Sequence, residues 1–296
     1  MSVAAAVLGN RAEFELTVGQ HRASDLAVLS FEAREELSRP YRAEVTFAAD
    51  ARLDTAALER EKALVTVVNA EGVARYFDGV AEGVERLGPS RHPEKHLYRL
   101  RLRPRLWLLS ARVRSRIFQD QSPVEIAVAV LKEGNIAHRL SLRSNHAKRE
   151  YCVQHRESDL DFVSRLLEES GIFYFFEHDK GTHTLVLGDA RGAFPELPGG
   201  KRIAFHDEQG MAPGGEAFTV FGSRHRTRPG AVVVSDVNYL HPQLDLTARA
   251  GDGKAELETY DHHGRYGMPD EGKALARIRL EEARVKAALW SGRSTS

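Results

Sequence analysis

Acidic residues, two histidines and the only cysteine of the chain are concentrated in residues 151–178. Carboxylates placed close together could act as a general acid and a general base, the chemistry of many hydrolases. A cysteine near a histidine, here Cys152 and His155, could supply a thiolate nucleophile. The acids of interest are Glu157, Asp159, Asp161, Glu168 and Glu169. Whether any of this chemistry is available depends on the elements that position these side chains.

A helix that begins near Asp159 accounts for two of the acids. Ser158 is placed as the N-cap, whose hydroxyl can accept a hydrogen bond from a free backbone N–H. Asp159 and Asp161 put negative charge at the positive end of the helix dipole. Gly171 is the left-handed residue that ends the helix. The apolar stripe of this helix comprises Leu160, Phe162, Val163, Leu166 and Leu167.

The remaining acids and the cysteine also have structural interpretations. Glu157 precedes the helix and is expected to be solvated or paired with Arg156. Glu168 and Glu169 lie near the helix C-terminus, where the dipole disfavours negative charge. We hypothesise that a salt bridge or a subunit contact stabilises this pair. Cys152 lies in a strand-like run and is expected to be a small core residue.

Patterns for nucleophile, metal and phosphate sites are incomplete elsewhere in the sequence. Residues 88–92 read GPSRH and lack the last glycine of a G-x-S-x-G nucleophile elbow. Asp261, His262 and His263 are adjacent on a predicted strand and point to opposite faces, which disfavours a shared metal ion. Residues 251–253 read GDG, but the third glycine of a phosphate-binding loop is missing. We therefore predict no catalytic, cofactor-binding or metal-binding residues and no enzyme activity.

Seven arginines between residues 99 and 116, with no acid between them, are the only candidate nucleic-acid footprint. No phenylalanine or tyrosine lies among them to stack bases, as single-strand binders require. The favoured interpretation is a solvated face or a protein interface, where arginine is enriched, so nucleic acid is not expected as a partner. The residues are Arg99, Arg101, Arg103, Arg105, Arg112, Arg114 and Arg116.

Composition excludes further classes of protein. The 296 residues include 42 basic and 42 acidic side chains, so no overall field favours nucleic acid or an anionic membrane. A single cysteine excludes an intramolecular disulfide and fits assembly in a reducing cytoplasm. Residues 2–8 do not resemble a signal peptide, and no window has the roughly 18 apolar residues of a membrane span. We expect cytoplasmic assembly, no stable membrane insertion, and secretion or injection without a cleavable signal.

Residues 1–112 are predicted to form a β-rich domain. Tyr98, Leu100 and Leu102 alternate with arginines, which indicates a sheet that is buried on one face and hydrated on the other. Short strands parted by polar segments are typical of an antiparallel barrel or sandwich. Residues 50–61 are predicted to form a short helix. The predicted strands are Phe14–Val18, Leu26–Phe31, Tyr41–Phe47, Leu64–Val68, Arg75–Val80 and Leu97–Arg103.

Residues 113–190 are predicted to form an α/β module. Its first helix has Ser122 as N-cap, Pro123 at the first helical position and Glu125 completing a capping box, and it ends at Gly134. The buried face of this helix comprises Ile126, Ala127, Val130 and Leu131. The helix after Ser158 comes next. A hairpin made of Ile172–Phe176 and Thr184–Leu187 completes the module.

Residues 191–296 are predicted to form a second β-rich domain. A connector over 190–215 contains a short strand, Arg202–Phe205, and the last helix begins after Pro269 and Asp270. The further strands are Ala217–Phe221, Ala231–Val237 and Ala255–Tyr260. The last helix is predicted to bury Leu275, Ile278, Val285 and Leu289. Its i,i+4 pairs are Arg277–Glu281 and Glu282–Lys286. No clear element follows this helix before Ser296.

Several of these segments resemble one family in collinear order. Besides residues 151–178, they are LSRPYR at 37–42, LRPRLWLL at 102–109, SRIFQD at 115–120 and TLVL at 184–187. Weaker similarity continues through YDHHGRY at 260–266 and the helix at 274–287. These segments resemble the VgrG spike proteins of the type VI secretion system and the related late-control hub proteins of contractile phage tails. The resemblance covers almost the whole chain.

The resemblance implies a β-rich α+β fold, with two antiparallel β-barrel-like domains and an α/β module between them, as in phage tail hubs. It implies a homotrimer that forms a pseudo-sixfold ring, caps a tube of Hcp hexamers and is propelled into target cells. Baseplate proteins and effectors are further implied partners. The family's later barrel and β-helical spike are absent from the sequence, so we interpret the chain as a fragment holding most of the hub. The alternatives are a baseplate hub of a contractile phage tail or tailocin, a cell-wall hydrolase, and a nucleic-acid binder.

Overall fold

The computed structural model describes two compact units, which divide the chain between residues 195 and 196. The fold is β-rich α+β, with one large antiparallel sheet, several small sheets and three α-helices in the described part of the chain. The described residues are 13–68, 72, 74–89, 95–196, 203–206, 217–262, 264, 266–285 and 287–295.

Six antiparallel strands form the large sheet of the first unit, in the order β1-β4-β5-β6-β3-β2. The strands are β1 Glu13–Val18, β2 Leu26–Glu36, β3 Arg39–Ala49, β4 Lys62–Val68, β5 Ala74–Pro89 and β6 His96–Arg103. The ring of Phe14 on edge strand β1 lies 5.8 Å from the ring of Phe31 on the other edge strand, β2. This short distance shows that the sheet curls. All six predicted strands are confirmed.

Alternation along β6 puts Tyr98, Leu100 and Leu102 in the sheet core with no exposed surface. The Tyr98 hydroxyl is also hydrogen-bonded, accepting the Leu53 backbone N–H at 2.8 Å. This satisfies a polar group that would otherwise be costly to bury.

The helix predicted over residues 50–61 is wrong, because this segment forms turns. The Asp54 carboxylate accepts the backbone N–H groups of Ala56 and Ala57. Arg60 has a left-handed backbone, with φ +62°, and donates its N–H to the carbonyl of Ala81. Local capping and a backbone bond to the sheet therefore replace the helical bonds that the sequence pattern suggested.

The second half of the first unit combines two helices with two small sheets. Strands β7 and β9 pair antiparallel, and the other sheet has the order β10-β11-β8, in which β8 runs parallel to β11. The elements are β7 Val113–Gln121, α1 Pro123–Glu133, β8 His138–Ser141, β9 Arg149–Ser158, α2 Asp159–Glu169, β10 Phe173–Asp179 and β11 Thr182–Gly188. The predicted hairpin is confirmed as β10–β11.

Both helices begin at the predicted caps. The Ser122 hydroxyl accepts the Glu125 N–H while the Glu125 carboxylate accepts the Ser122 N–H, and the Ser158 hydroxyl accepts the Asp161 N–H. Gly171 has the expected left-handed backbone, with φ +69°. After α1 the left-handed residue is Asn135, with φ +54°, whereas Gly134 remains right-handed. The predicted buried faces are confirmed except at Leu160, which is half-buried.

The described part of the second unit contains two three-stranded sheets, with the orders β12-β13-β17 and β15-β14-β16. The elements are β12 Ala204–Phe205, β13 Ala217–His225, β14 Ala231–Ser235, β15 Ala248–Gly251, β16 Glu258–His262, α3 Pro269–Val285 and β17 Ala288–Thr295. The start of the predicted strand Arg202–Phe205 lies outside the described residues.

The end of the second unit differs from the prediction. Helix α3 buries Ala276 and Leu280, while Val285 is 66% exposed and Leu289 belongs to β17. A strand therefore follows the helix and pairs with β13, which overturns the expectation that no element ends the chain. Arg277 and Glu281 form the predicted pair at 4.0 Å. The other predicted pair involves Lys286, which lies outside the described residues, and Glu282 contacts Arg279.

Candidate functional site

Three arginines converge on Asp159 at the start of α2. The Asp159 side chain has no exposed surface. Its Oδ1 accepts a hydrogen bond from Arg116 Nη2 at 3.0 Å, and Arg112 Nε lies 3.2 Å from Oδ2 in an ion-pair contact that lacks hydrogen-bond alignment. Arg114 Nε lies 3.8 Å from the same oxygen. The Asp159 backbone N–H also donates to the carbonyl of Arg112 at 2.8 Å. Asp159 therefore connects the start of α2 to β7 and to the residue that precedes β7.

Two further side chains complete this Asp159 cluster. Gln154 Nε2 donates to Asp159 Oδ1 at 2.9 Å, and its Oε1 accepts from Arg116 Nε at 2.8 Å. Glu133, at the end of α1, accepts hydrogen bonds from Arg114 and Arg116 at 2.8 to 3.0 Å. The cluster therefore joins α1, α2, β7 and β9.

The geometry of Asp159 is unsuited to proton transfer with a substrate. Its carboxylate is enclosed by guanidinium groups, and a general base must reach the proton that it removes. Sequence reasoning explained Asp159 by the helix dipole alone and missed the arginines. The available signal was the alternation of Arg112, Arg114 and Arg116, which places basic side chains on one side of a strand.

The other arginines of the predicted footprint are also mostly paired. Arg99 and Arg101 contact Glu44 on β3 at 3.1 and 3.7 Å, and Arg103 contacts Glu82 on β5 at 2.8 Å. The series lacks acids in sequence, but neighbouring strands supply them in space. Pairing removes much of the positive field that a nucleic-acid backbone would need.

Glu157, just before α2, and Glu169, its last residue, form a second group of ion pairs. Glu157 pairs with Arg165 at 2.6 Å, so the expected solvation or pairing with Arg156 is wrong. Glu169 contacts Arg165 at 3.2 Å and Arg149 at 3.0 Å. Burial alone would raise the pKa of Glu169, but the hydrogen bonds and charges of these arginines outweigh burial and hold the pKa below its ordinary value.

The salt-bridge hypothesis therefore holds for Glu169 within one chain, whereas Glu168 is exposed. The stabilising partners of Glu169 come from α2 itself and from β9.

Cys152 and His155 do not form a reactive pair. Along β9, Cys152 and Gln154 are buried while Val153 and His155 are exposed, because alternate side chains of a strand point to opposite faces. Burial raises the pKa of the Cys152 thiol, which lowers the fraction of thiolate. The interpretation of Cys152 as a core residue is confirmed.

Sequence reasoning missed a buried acid–histidine pair at the contact between β11 and the large sheet. His183 Nδ1 lies 2.7 Å from Asp78 Oδ1, and Lys62 Nζ lies 3.6 Å from the other carboxylate oxygen. This resembles two members of a hydrolytic triad. However, the second ring nitrogen of His183 is occupied, because it accepts the Arg105 backbone N–H at 3.2 Å.

A second histidine supports the same contact. His178 is the cross-strand neighbour of His183 and lies 2.8 Å from the Glu35 carboxylate. That hydrogen bond is the main cause that lowers the pKa of Glu35. The Tyr41 ring lies 4.8 Å from the His178 ring and 5.8 Å from the His183 ring, and its hydroxyl donates to the Asp78 carbonyl. These contacts attach the β10–β11 hairpin to the large sheet.

The remaining candidates show no ligand geometry in the part of the chain that the structure describes. No group of three or more His, Cys, Asp or Glu side chains there could hold a metal ion. Asp261 and His262 end β16, and His263 lies outside the described residues, as do residues 90–92 of the GPSRH segment. Gly251 has φ +100°, and a Cβ there would lie 2.3 Å from the Gly230 carbonyl oxygen, so this glycine serves a close backbone contact.

None of the described helices is long and apolar enough to cross a bilayer.

The buried charges described above are paired with one another, as buried charges in folded proteins generally are. Residues 34–296 match the family model described as phage tail baseplate hub (GPD). The chain therefore belongs to the phage tail baseplate hub family.

Named relatives fit this assignment. The chain is 35% identical over 293 residues to the type VI secretion system spike protein VgrG4b of Pseudomonas aeruginosa, covering 96% of this chain and 35% of the relative. It is 31% identical over 305 residues to the spike protein VgrG3 of Vibrio cholerae, covering 96% of this chain and 29% of the relative. The chain thus spans about a third of the length of these relatives.

A solved structure confirms the fold. An Escherichia coli component of the type VI secretion system, described as similar to the T4 bacteriophage tail proteins gp27 and gp5, matches with a TM-score of 0.68. The sequences are 23% identical, and the match covers 96% of this chain and 63% of the other.

Proposed function

We propose that this chain is the hub part of a type VI secretion spike, a structural component of a contractile injection machine. The main support is the similarity to a spike protein along 96% of the chain. The chain also belongs to the family of tail hubs. In this role three copies form a ring that caps the Hcp tube, and sheath contraction drives the ring into a target cell. The protein works mechanically, so it needs rigid sheets and not a reactive group.

The internal structure of the first unit supports a division of the hub into domains. One hydrophobic core lies within the large sheet, and its buried residues run in sequence from Leu16 to Leu102. A second core lies among the helices and small sheets, and its buried residues run from Leu106 to Leu187. We assign residues 1–112 to a first barrel-like domain, 113–190 to the α/β module and 191–296 to a second barrel-like domain. Two similar barrels in each of three chains would match a six-membered tube.

The proposed role also implies which partners the chain has and where it assembles. Assembly takes place in the cytoplasm on baseplate proteins and Hcp, and the complex then leaves the cell without a cleavable signal. Effectors are carried by the same complex.

A baseplate hub of a contractile phage tail or tailocin is the second candidate. The description of the matching family as a phage tail baseplate hub favours it. The two candidates share the fold and differ in the tube protein that the ring contacts.

Co-sedimentation of the purified chain with assembled tubes tests both candidates. We expect the chain to sediment with Hcp tubes and not with tubes of a contractile phage tail protein, which serve as the control. Binding only to the phage tubes would favour the second candidate, and binding to neither would overturn both. Turnover of peptidoglycan by the chain would instead establish a cell-wall hydrolase.

A further inference from the structure

The antiparallel pair β13–β17 in the second unit is exposed on both faces. Residues 220–225 of β13 and 288–294 of β17 are all exposed. Strand β12 pairs only with residues 217 and 218 of β13, so the rest of the sheet is a two-stranded ribbon among the described residues, and such a ribbon is only marginally stable in water. Exposed apolar side chains on such a ribbon therefore indicate a surface that another molecule covers.

One face of this pair combines apolar and basic side chains. The cross-strand neighbours are Val220 with Arg293 and Arg224 with Leu289. All four side chains share one face, because positions 220 and 224 are an even number of residues apart. Val220 is 49% exposed and Leu289 is 38% exposed. Neither arginine has a carboxylate partner among the described residues. We call this face the basic ribbon.

An edge strand of the large sheet has the opposite charge. On the outer face of β1 and β4, Glu13 lies opposite Val68 and Glu15 lies opposite Thr66. Both glutamates are exposed, and neither has a basic partner in the part of the chain that the structure describes. Val68 shares this outer face with Glu13, whereas Phe14 points to the other face of the sheet, toward Phe31. We call this face the acidic edge.

We propose that the basic ribbon of one copy of this chain docks on the acidic edge of a second copy. The two faces are opposite in charge, which is the complementarity that steers and orients protein contacts. They differ from each other, so the contact is heterologous, and repetition of a heterologous contact closes a ring when the rotation permits. This inference rests on the proposed function, because it names the surface through which the copies of the ring associate.

Charge reversal tests the contact. The full chain is compared with R224E/R293E, with E13R/E15R and with a variant that carries all four changes, using light scattering over a range of protein concentrations. The control K254E/K273E is matched to R224E/R293E, because it makes the same change of net charge at exposed positions of the second unit. Circular dichroism and thermal unfolding check that every variant is folded.

We expect the wild-type chain to self-associate and each double variant to associate at least about tenfold more weakly. The variant with all four changes should recover, because the charges are again complementary, and such recovery cannot arise from a folding defect. The control should associate like the wild type. Association should also weaken as the salt concentration rises from about 0.05 to about 0.5 M, since screening shortens the range of the charges.

Three results would overturn the contact: a wild-type chain that stays monomeric, double variants that associate normally, or no recovery with all four changes. Binding of nucleic acid that R224E/R293E abolishes, with no self-association, would assign the ribbon to a different partner. The proposed function is judged separately by sedimentation with Hcp tubes. If the double variants still associate and still bind tubes, the contact is wrong and the proposed function stands.

Discussion

The large sheet and the helical half of the first unit bury their polar groups differently. The sheet core consists of apolar and aromatic side chains on alternating positions, and paired charges such as Arg99 and Glu44 stay on its outer face. Asp78, at the contact with His183, is the buried acid of this sheet among the described residues. The helical half buries Asp159 and Gln154 completely. The sheet is thus specified by periodicity, whereas the helical half depends on a charged cluster assembled from four elements. The following changes should separate these two modes of stabilisation.

The largest loss is expected from Asp159→Asn. It leaves three arginine side chains around a buried neutral group, and removal of one partner of a buried ion pair costs about 3–5 kcal/mol. Urea unfolding measures the change. Asp161→Asn, on the same turn of α2 but exposed, should change the stability by less than about 1 kcal/mol. Equal effects of the two substitutions would show that the helix dipole, and not the cluster, is what Asp159 serves.

Leu100→Ala tests the sheet core. Leu100 has no exposed surface, and replacing a buried leucine by alanine costs about 2–5 kcal/mol through lost burial and a residual cavity. The control is Leu29→Ala, since Leu29 is 59% exposed. Its effect should stay within about 0.5 kcal/mol. A small loss at Leu100 would mean that the curled sheet collapses around the cavity.

Ser122→Ala probes a contribution that is purely local. It removes the acceptor for the Glu125 N–H and half of the capping box, which costs about 1 kcal/mol. Ser122→Asp should retain most of the stability, because a carboxylate caps equally well and favours the helix N-terminus. If alanine and aspartate destabilise equally, the hydroxyl is required for packing and not for capping.

The smallest effect concerns pH. The folded pKa of Glu169 lies below the ordinary value of 4.5, so its ion pairs contribute fully above that pH and are lost as the pH falls through the folded pKa. The unfolding free energy of the wild type should therefore fall more steeply below about pH 4.5 than that of Glu169→Gln. Glu168→Gln, at an exposed position, should follow the wild type. Parallel curves for all three proteins would contradict the role of the Arg149 and Arg165 pairs.

Local rules predicted the elements well where one signal dominated. The caps at Ser122 and Ser158 lie where the sequence placed them, because a cap involves only neighbouring residues. Prediction failed over residues 50–61, where Asp54 and a backbone bond from Arg60 to the sheet replaced helical bonds. It failed again after α3, because strand pairing with β13 decides the fate of residues 288–295. That pairing is not visible in a local window.

The candidate site shows the same division. The sequence indicated that the acids around α2 are structural, but it misassigned the partner of Glu157 and missed the arginines around Asp159. Arg165 is eight residues from Glu157, and Arg116 is 43 residues from Asp159. Asp78 and His183 are 105 residues apart. No spacing rule links such positions, so these pairs could not be proposed before the fold was known.

The sequence by itself determined helices α1 and α2, their caps, the strands of the large sheet and the family, because each depends on contiguous residues or on collinear segments. The tertiary structure decided which charges meet. It turned an arginine series into paired groups, occupied the second nitrogen of His183, and left the basic ribbon and the acidic edge without partners among the described residues. The physical reason is that burial and ion pairing depend on distances in space, which the order of residues along a chain does not fix.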